Sequence, residues 1–171
     1  MKVNLSAIMN FAGEVQSDKN LARKTKTVSG TCNFADGQPH FEAVLEFPKG
    51  KATLPSDQPP FMGGGGLAPD PILYCLYGTA SCFAGTMMLI IAQRNLKVDS
   101  LKVSVQNKLN LLKPLGLGEA PLVEGVTISL EYSGAATQRE MDEAVAEAME
   151  TCPGAYCLKN PILTSAEIKK A

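Results

Sequence analysis

The chain has 171 residues, with 16 basic and 17 acidic side chains and a formal net charge of −1. That length suffices for one domain with a real core, and the balanced charge offers no basic surface for nucleic acid or an anionic membrane. A single histidine, His40, excludes multi-His metal motifs, and five cysteines, an odd number, argue against a secreted disulfide framework.

The opening stretch, Val3 to Phe11, is too polar for the apolar core of a secretory signal. The expectation is a soluble cytoplasmic protein whose thiols stay reduced. Residues 1–47 read as strands. In "HFEAVLEFPKG", Phe41, Ala43, Leu45 and Phe47 alternate with Glu42, Val44 and Glu46, a period of two. "VNLSAI" and "ARKTKTVSGTCNF" are weaker strand candidates. Residues 48–69 read as a Pro/Gly loop without periodicity, through "LPSDQPPFMGGGG".

A long helix is expected over 70–95. Asp70 supplies an N-cap acceptor, and Pro71 follows at the first helical position, where its missing N–H costs nothing. No residue from Pro71 to Gln93 is charged, and Arg94 and Asn95 close the run. The segment has the length of a bilayer span, about 20 residues, but Gly78, Thr79, Ser81, Gly85 and Thr86 dilute it. A helix apolar all round is then a buried one, and in a chain this short a second subunit would cover part of it.

Residues 101–171 predict strands, a second helix and a final strand. "LKVSVQNKLNLL" and "VEGVTISLEYS" are strands joined by the loop "KPLGLGEAP". Thr137 with Glu140 three residues on forms a capping box, and Met141, Val145, Ala148, Met149 and Cys152 form an apolar stripe at helical spacing. Pro153 and Gly154 should stop that helix, and a short strand is expected near "NPILTSAEIK". The order predicts a single α+β domain over 1–171. Gly63, Gly65 and Ala68 fit a loose G-x-G-x-x-A, but no strand-to-helix context surrounds them, and no nucleotide site is assigned.

The cysteines are Cys32, Cys75, Cys82, Cys152 and Cys157. Cys75 and Cys82, seven apart, stand about 10.5 Å apart along a helix axis and cannot pair within it. Cys32 and Cys75 read as small core residues, and Cys157 as a core residue at a loop edge or a substitute for Cys152 as a resolving thiol. Cys152, at a helix C-terminus, faces the dipole end that disfavours a thiolate, a place suited to a resolving thiol rather than a primary nucleophile.

"GGGGLAPDP" leading to "LYGTASCFAGTMM", then "AMETCPGAYCLKNPI", resembles the OsmC/Ohr family of osmotically induced and organic-hydroperoxide-resistance proteins. The resemblance implies an α+β OsmC-like fold, with antiparallel sheets wrapped around two central helices and two subunits intertwined as a homodimer. It implies a thiol-dependent peroxidase that reduces organic hydroperoxides, Cys82 matching the peroxidatic residue and Cys152 the resolving one, with a dithiol reductant and no metal or organic cofactor. Tyr77, Phe83 and Met87 would line an apolar substrate pocket. The family's activating pair, an arginine oriented by a glutamate at the start of the long helix, has no clear counterpart. Ile72 and Leu73 stand where the acid is expected, and Arg23, Lys24, Lys26 and Lys49 are the cations of the N-terminal part. The alternative is a non-catalytic OsmC-like dimeric binding protein that has lost this pair.

Overall fold

A computed structural model describes residues 3–170. The chain divides into two compact units, residues 4–75 and residues 76–170.

The first unit opens on a helix, α1 (Leu5–Ser17), and not on the strand expected from "VNLSAI". The Asn4 side chain accepts from the Ala7 amide at 3.1 Å, an N-cap that outweighs the short alternation of apolar residues. Asp18 ends α1 and its carboxylate starts a 3₁₀ turn at Lys19–Ala22, accepting from Asn20 N–H at 2.9 Å. Of "ARKTKTVSGTCNF" only β1 (Gly30–Cys32) is extended into a ladder. It pairs antiparallel with β2 (Phe41–Phe47), and β2 pairs with β3 (Gly50–Ser56).

The strand β3 lies within the stretch read as a loop. Pro48 and Lys49 form a two-residue turn that puts Phe47 opposite Gly50, and from there the register runs on through Ala43 opposite Leu54 to Phe41 opposite Ser56. Pro55 hides the strand in the sequence, but β3 is an edge strand, where a residue without an N–H is tolerated.

From Asp57 to Pro69 the chain wraps around one carboxylate. Asp57 is 1% exposed and accepts from Gln58, Gly65 and Leu67 N–H at 3.0, 3.0 and 2.9 Å, while His40 Nδ1 lies 3.1 Å away. The glycines fit this wrap. A Cβ on Gly64 would stand 1.9 Å from the Gln58 carbonyl oxygen, and Gly63 and Gly66 have φ of +86° and +64°. Asp70 then caps α2 (Pro71–Gln93), accepting from Ile72 and Leu73 N–H at 2.8 and 3.0 Å.

The second unit is built on α2 from Leu76 onward, a long hairpin of β4 (Val98–Leu109) and β5 (Val123–Gly134), α3 (Gln138–Thr151) and α4 (Pro153–Lys159). Asn95, at φ +52°, ends α2, with Leu96 N–H reaching Ile91 O at 3.0 Å and Asn95 N–H reaching Ala92 O at 3.2 Å, a Schellman closure. Phe83, Met87, Ile90 and Ile91 of α2 pack with Met141, Ala144 and Ala148 of α3, and Leu101, Val103, Ile128 and Leu130 cover them from one sheet face. Alanines at 144 and 148 let the two helices approach closely. Arg94 ties the end of α2 to Glu147 of α3 at 2.6 Å.

The capping box of Thr137 and Glu140 is formed as expected. Pro153 and Gly154 do end α3, but they also begin α4, since proline is at home in a first turn. Residues 161–170 carry no regular structure, so the strand expected near "NPILTSAEIK" is not formed. α2 is long and apolar enough to cross a membrane by length and composition, yet it is not buried all round: Leu73, Tyr77 and Met88 on it are exposed.

Candidate active site

Cys82 sits in the middle of α2, and Cys152 is the single extended residue, φ −81° and ψ 120°, between α3 and α4. Its N–H closes α3 on Ala148 O and its C=O receives Tyr156 N–H, both at 2.9 Å. The backbone thus holds Cys152 from both sides, and its side chain meets α2. The two sulfurs lie 3.5 Å apart, bridging 70 positions of sequence. Cys82 is partly exposed and Cys152 is fully buried.

Gly154 makes the approach possible. A Cβ there would lie 3.3 Å from Cys82 Cβ and 3.6 Å from its Sγ, so α4 rests directly on the thiol-bearing turn of α2. Thr86, one helical turn after Cys82, donates its hydroxyl to the Cys82 carbonyl at 3.1 Å.

The two thiols are pushed in opposite directions. Burial raises Cys82 above the ordinary thiol value, the Gly154 N–H opposes this, and the Cys152 sulfur pushes it further up. Burial also acts upward on Cys152, but the Ala155 N–H, the Cys82 thiol, the Thr86 hydroxyl and the Gly154 N–H together bring it below the ordinary value. This direction at Cys152 runs opposite to the one expected from its place at a helix C-terminus. The same residue also stands at the N-cap position of α4.

Phe83 and Met87 are wholly enclosed in the core beside Cys152, and Tyr77 is 70% exposed. A cleft of about 510 Å³ in the same unit is lined by Val126, Ile128, Met149, Ala155, Leu158 and Lys159 among others, and none of Tyr77, Phe83 or Met87 borders it. Cys32 and Cys75 are exposed, in contrast to the core positions expected for them, and Cys157 is exposed on α4. Ile72 and Leu73 occupy the first turn of α2 with their amides held by Asp70. Arg23 ends the 3₁₀ turn, and Lys24 lies 5.1 Å from the Phe11 ring centre. Among the described residues no group of three or more His, Cys, Asp or Glu side chains converges.

The sequence marks Thr86 only as a residue that dilutes the apolar run and Gly154 only as a helix stop, and gives Ala155 no role. A threonine four residues after a cysteine on one helix is a common pairing, and backbone donors leave no residue-type signal.

The family model for OsmC-like proteins matches residues 63–167, more than half of the chain. No curated protein sequence matches. Among solved structures, the chain is similar to an organic hydroperoxide resistance protein, OsmC, from Legionella pneumophila, at 20% identity and TM-score 0.58, over 80% of this chain and 92% of that one. An OsmC-like protein from Mycoplasma pneumoniae is similar at 16% identity and TM-score 0.59, over 80% and 88% of the two chains. An organic hydroperoxide resistance protein from Elizabethkingia anophelis, with thiocyanate bound, matches at 19% identity and TM-score 0.53, over 80% and 91%. The α+β architecture of this chain, with two small antiparallel sheets and four α-helices among the described residues, is similar to these structures. By its sequence match and its fold, the chain belongs to the OsmC-like family.

Proposed function

We propose that this chain is a thiol-dependent peroxidase that reduces organic hydroperoxides, with Cys82 as the attacking sulfur and Cys152 as the resolving one. The observation that carries the reading is the 3.5 Å separation of the two sulfurs. A disulfide has S–S near 2.05 Å, so closure asks for a shift of about 1.5 Å and no refolding. Cys82 is the more accessible of the two, as the sulfur that meets the peroxide has to be.

The Cys82 thiolate attacks the terminal oxygen of the hydroperoxide, the O–O bond breaks, and an alkoxide leaves and is protonated to the alcohol. The Cys152 sulfur then attacks the resulting sulfenic acid, forming the disulfide and releasing water. A dithiol reductant reopens the bond by exchange, ending as a disulfide itself. Nothing in this sequence needs a metal or an organic cofactor, and it suits a reducing compartment such as the cytoplasm. Phe83 and Met87 form the apolar floor behind the sulfurs, and Tyr77 stands at the outer side of the helix. The exposed face of α2 supports a homodimer in which a second copy completes the pocket.

One feature supports a different reading. Ile72 and Leu73 leave the start of α2 without the acid that orients the family's arginine, and the Cys82 thiol is held up rather than down. On that reading the chain is a dimeric binding protein without turnover. Reduced protein mixed with one equivalent of an organic hydroperoxide, followed by disulfide mapping, separates the two. A rapid Cys82–Cys152 bond, lost in Cys82→Ser and Cys152→Ser, is expected; thiols intact after long exposure would leave the binding protein.

A further inference from the structure

We propose that the first unit carries a binding site of its own, a cleft at the His40–Asp57 pair that takes a small uncharged aromatic molecule bearing an O–H or N–H, with His40 Nε2 as the acceptor. The site goes beyond the peroxidase reading and uses none of its thiols.

The three-stranded sheet builds the pair. The β2–β3 register sets Phe41 opposite Ser56, and one step further sets His40 opposite Asp57. The β1–β2 register sets Cys32 opposite Phe41, and the next step is made by Asn33 N–H donating to His40 O at 2.9 Å. Residues directly opposite one another share a sheet face, so Asn33, His40 and Asp57 form a row across one end of the sheet. Within that row His40 Nδ1 lies 3.1 Å from Asp57 Oδ1.

Asp57 decides which ring nitrogen is left free. Its carboxyl is buried and accepts the amides of Gln58, Gly65 and Leu67, which favours the anion, and a carboxylate anion can only accept. Nδ1 is then the nitrogen that carries the proton and donates, and in the neutral ring Nε2 keeps a lone pair. Because Asp57 also holds Gly65 and Leu67, one carboxylate fixes both the imidazole and the glycine loop.

A cleft of about 520 Å³ opens on this row. Its lining includes His40, Asn33, Asp36, Gln38, Phe34 and Leu67, with residues 63–65. Asp57 does not border it, whereas the half-exposed imidazole does. The lining sets the chemistry of the ligand. No lysine or arginine among the described residues borders the cleft, Asp36 does, and His40 is bonded to a second carboxylate, so an anion is disfavoured. Phe34 is almost wholly exposed and Leu67 more than half so, an apolar surface that a ring would cover. The bare Nε2 asks for a donor, and the Asn33 and Gln38 amides serve further polar groups.

The chain has one histidine, so the imidazole nitrogens of ¹⁵N-labelled protein give a single set of signals. These are followed while phenol, anisole and benzoate are titrated at about pH 8, where phenol keeps its proton. Phenol supplies ring and donor, anisole the ring without the donor, and benzoate the ring with a negative charge. Free wild-type protein is expected to show the proton on Nδ1. Phenol should saturate, move the Nε2 signal, and bind about fivefold tighter than anisole, the worth of one neutral hydrogen bond, with benzoate weaker than either. His40→Leu should bring phenol level with anisole. Asp57 is the positioning residue: in Asp57→Asn the ring can take its proton on Nε2, and the preference for phenol should vanish although His40 remains. Should Asp57→Asn fail to fold, the tautomer of the wild-type ring decides its role. A proton on Nε2 in free wild-type protein overturns the proposal. So do phenol that does not saturate, phenol bound with Nε2 unmoved, anisole bound as tightly as phenol, and benzoate bound more tightly than both.

Discussion

Asp57 holds the amide of Leu67, ten residues further along the chain, at 2.9 Å and out of contact with water. That bond, more than any other influence, keeps the carboxyl below its usual range; burial works against it, and His40 and the Gly65 amide add to it. The folded-state value lies below the unfolded value of about 3.9, so the group stabilises the fold above that pH and ceases to as pH falls through the folded value. Asp57→Asn turns an acceptor toward the donors as an amide. The variant should melt below wild type at pH 7, and the gap should narrow steadily below about pH 4. Thermal melts at both ends of that range check it; equal melting temperatures at pH 7 would show that the carboxylate is not what closes the loop.

The four-glycine run separates into distinct constraints. At Gly64 a methyl would sit 1.9 Å from backbone oxygen, which only a backbone shift relieves, whereas at Gly63 there is open space and only the left-handed φ of +86° resists. Gly63→Ala should therefore cost about 1–2 kcal/mol, the strain of a left-handed alanine. Gly64→Ala should cost clearly more. Denaturant unfolding of the two single variants measures the difference, and the reverse order would mean that the loop does not wrap the carboxylate as described.

How much of this was legible depended on where the information lies. Local chemistry carried far: Asp70 before Pro71, the Thr137–Glu140 box and the alternation through Val126, Ile128 and Leu130 each named an element that the structure contains. It failed where a single residue outweighed a pattern, as Asn4 did in making α1 a helix, or where edge position excused a rule, as at Pro55 in β3. Cys152 shows a third kind of failure. Reading it as the end of one helix was right, but Pro153 and Gly154, expected only as a stop, also begin the next. Asp57 and the amides around it left no signal beyond an acid ahead of glycines, because backbone donors have no letter in the sequence.

The capping box offers a cleaner measurement. Glu140 is held below its usual range first by the Thr137 N–H and then by the Thr137 hydroxyl, at 2.7 and 2.8 Å. Thr137→Ala removes the hydroxyl that also accepts from Glu140 N–H, and should cost about 1 kcal/mol at pH 7. The Glu140 part of the box is present above the unfolded carboxyl value of about 4.3 and is lost as pH falls through the lower folded value. The penalty of Thr137→Ala should accordingly be smaller at pH 3 than at pH 7. A penalty that does not change with pH would assign the effect to intrinsic helix propensity instead.

Along α2, Leu73, Tyr77, Ser81 and Met88 fall on one stripe about 80° wide at 100° per residue. All four are exposed, with Tyr77 at 70%. Phe83 and Ile90 point away from it and are enclosed, while Ile91, in line with Leu73 near the C-terminal end, is already buried. An uncharged helix with an open apolar stripe, bordered by the exposed small residues Gly78 and Gly85, can bring a second helix close, and the homodimer proposed above would use this face. Replacing Tyr77 or Met88 by Glu places an unpaired charge there while leaving the core of the unit untouched. Each variant should weaken self-association at least tenfold, the equivalent of about 1.4 kcal/mol, without lowering the melting temperature of the dissociated chain. Sedimentation equilibrium across a micromolar range reads both. A wild-type chain that stays monomeric there, or variants that associate as well as it does, would leave the stripe without a second copy to cover it.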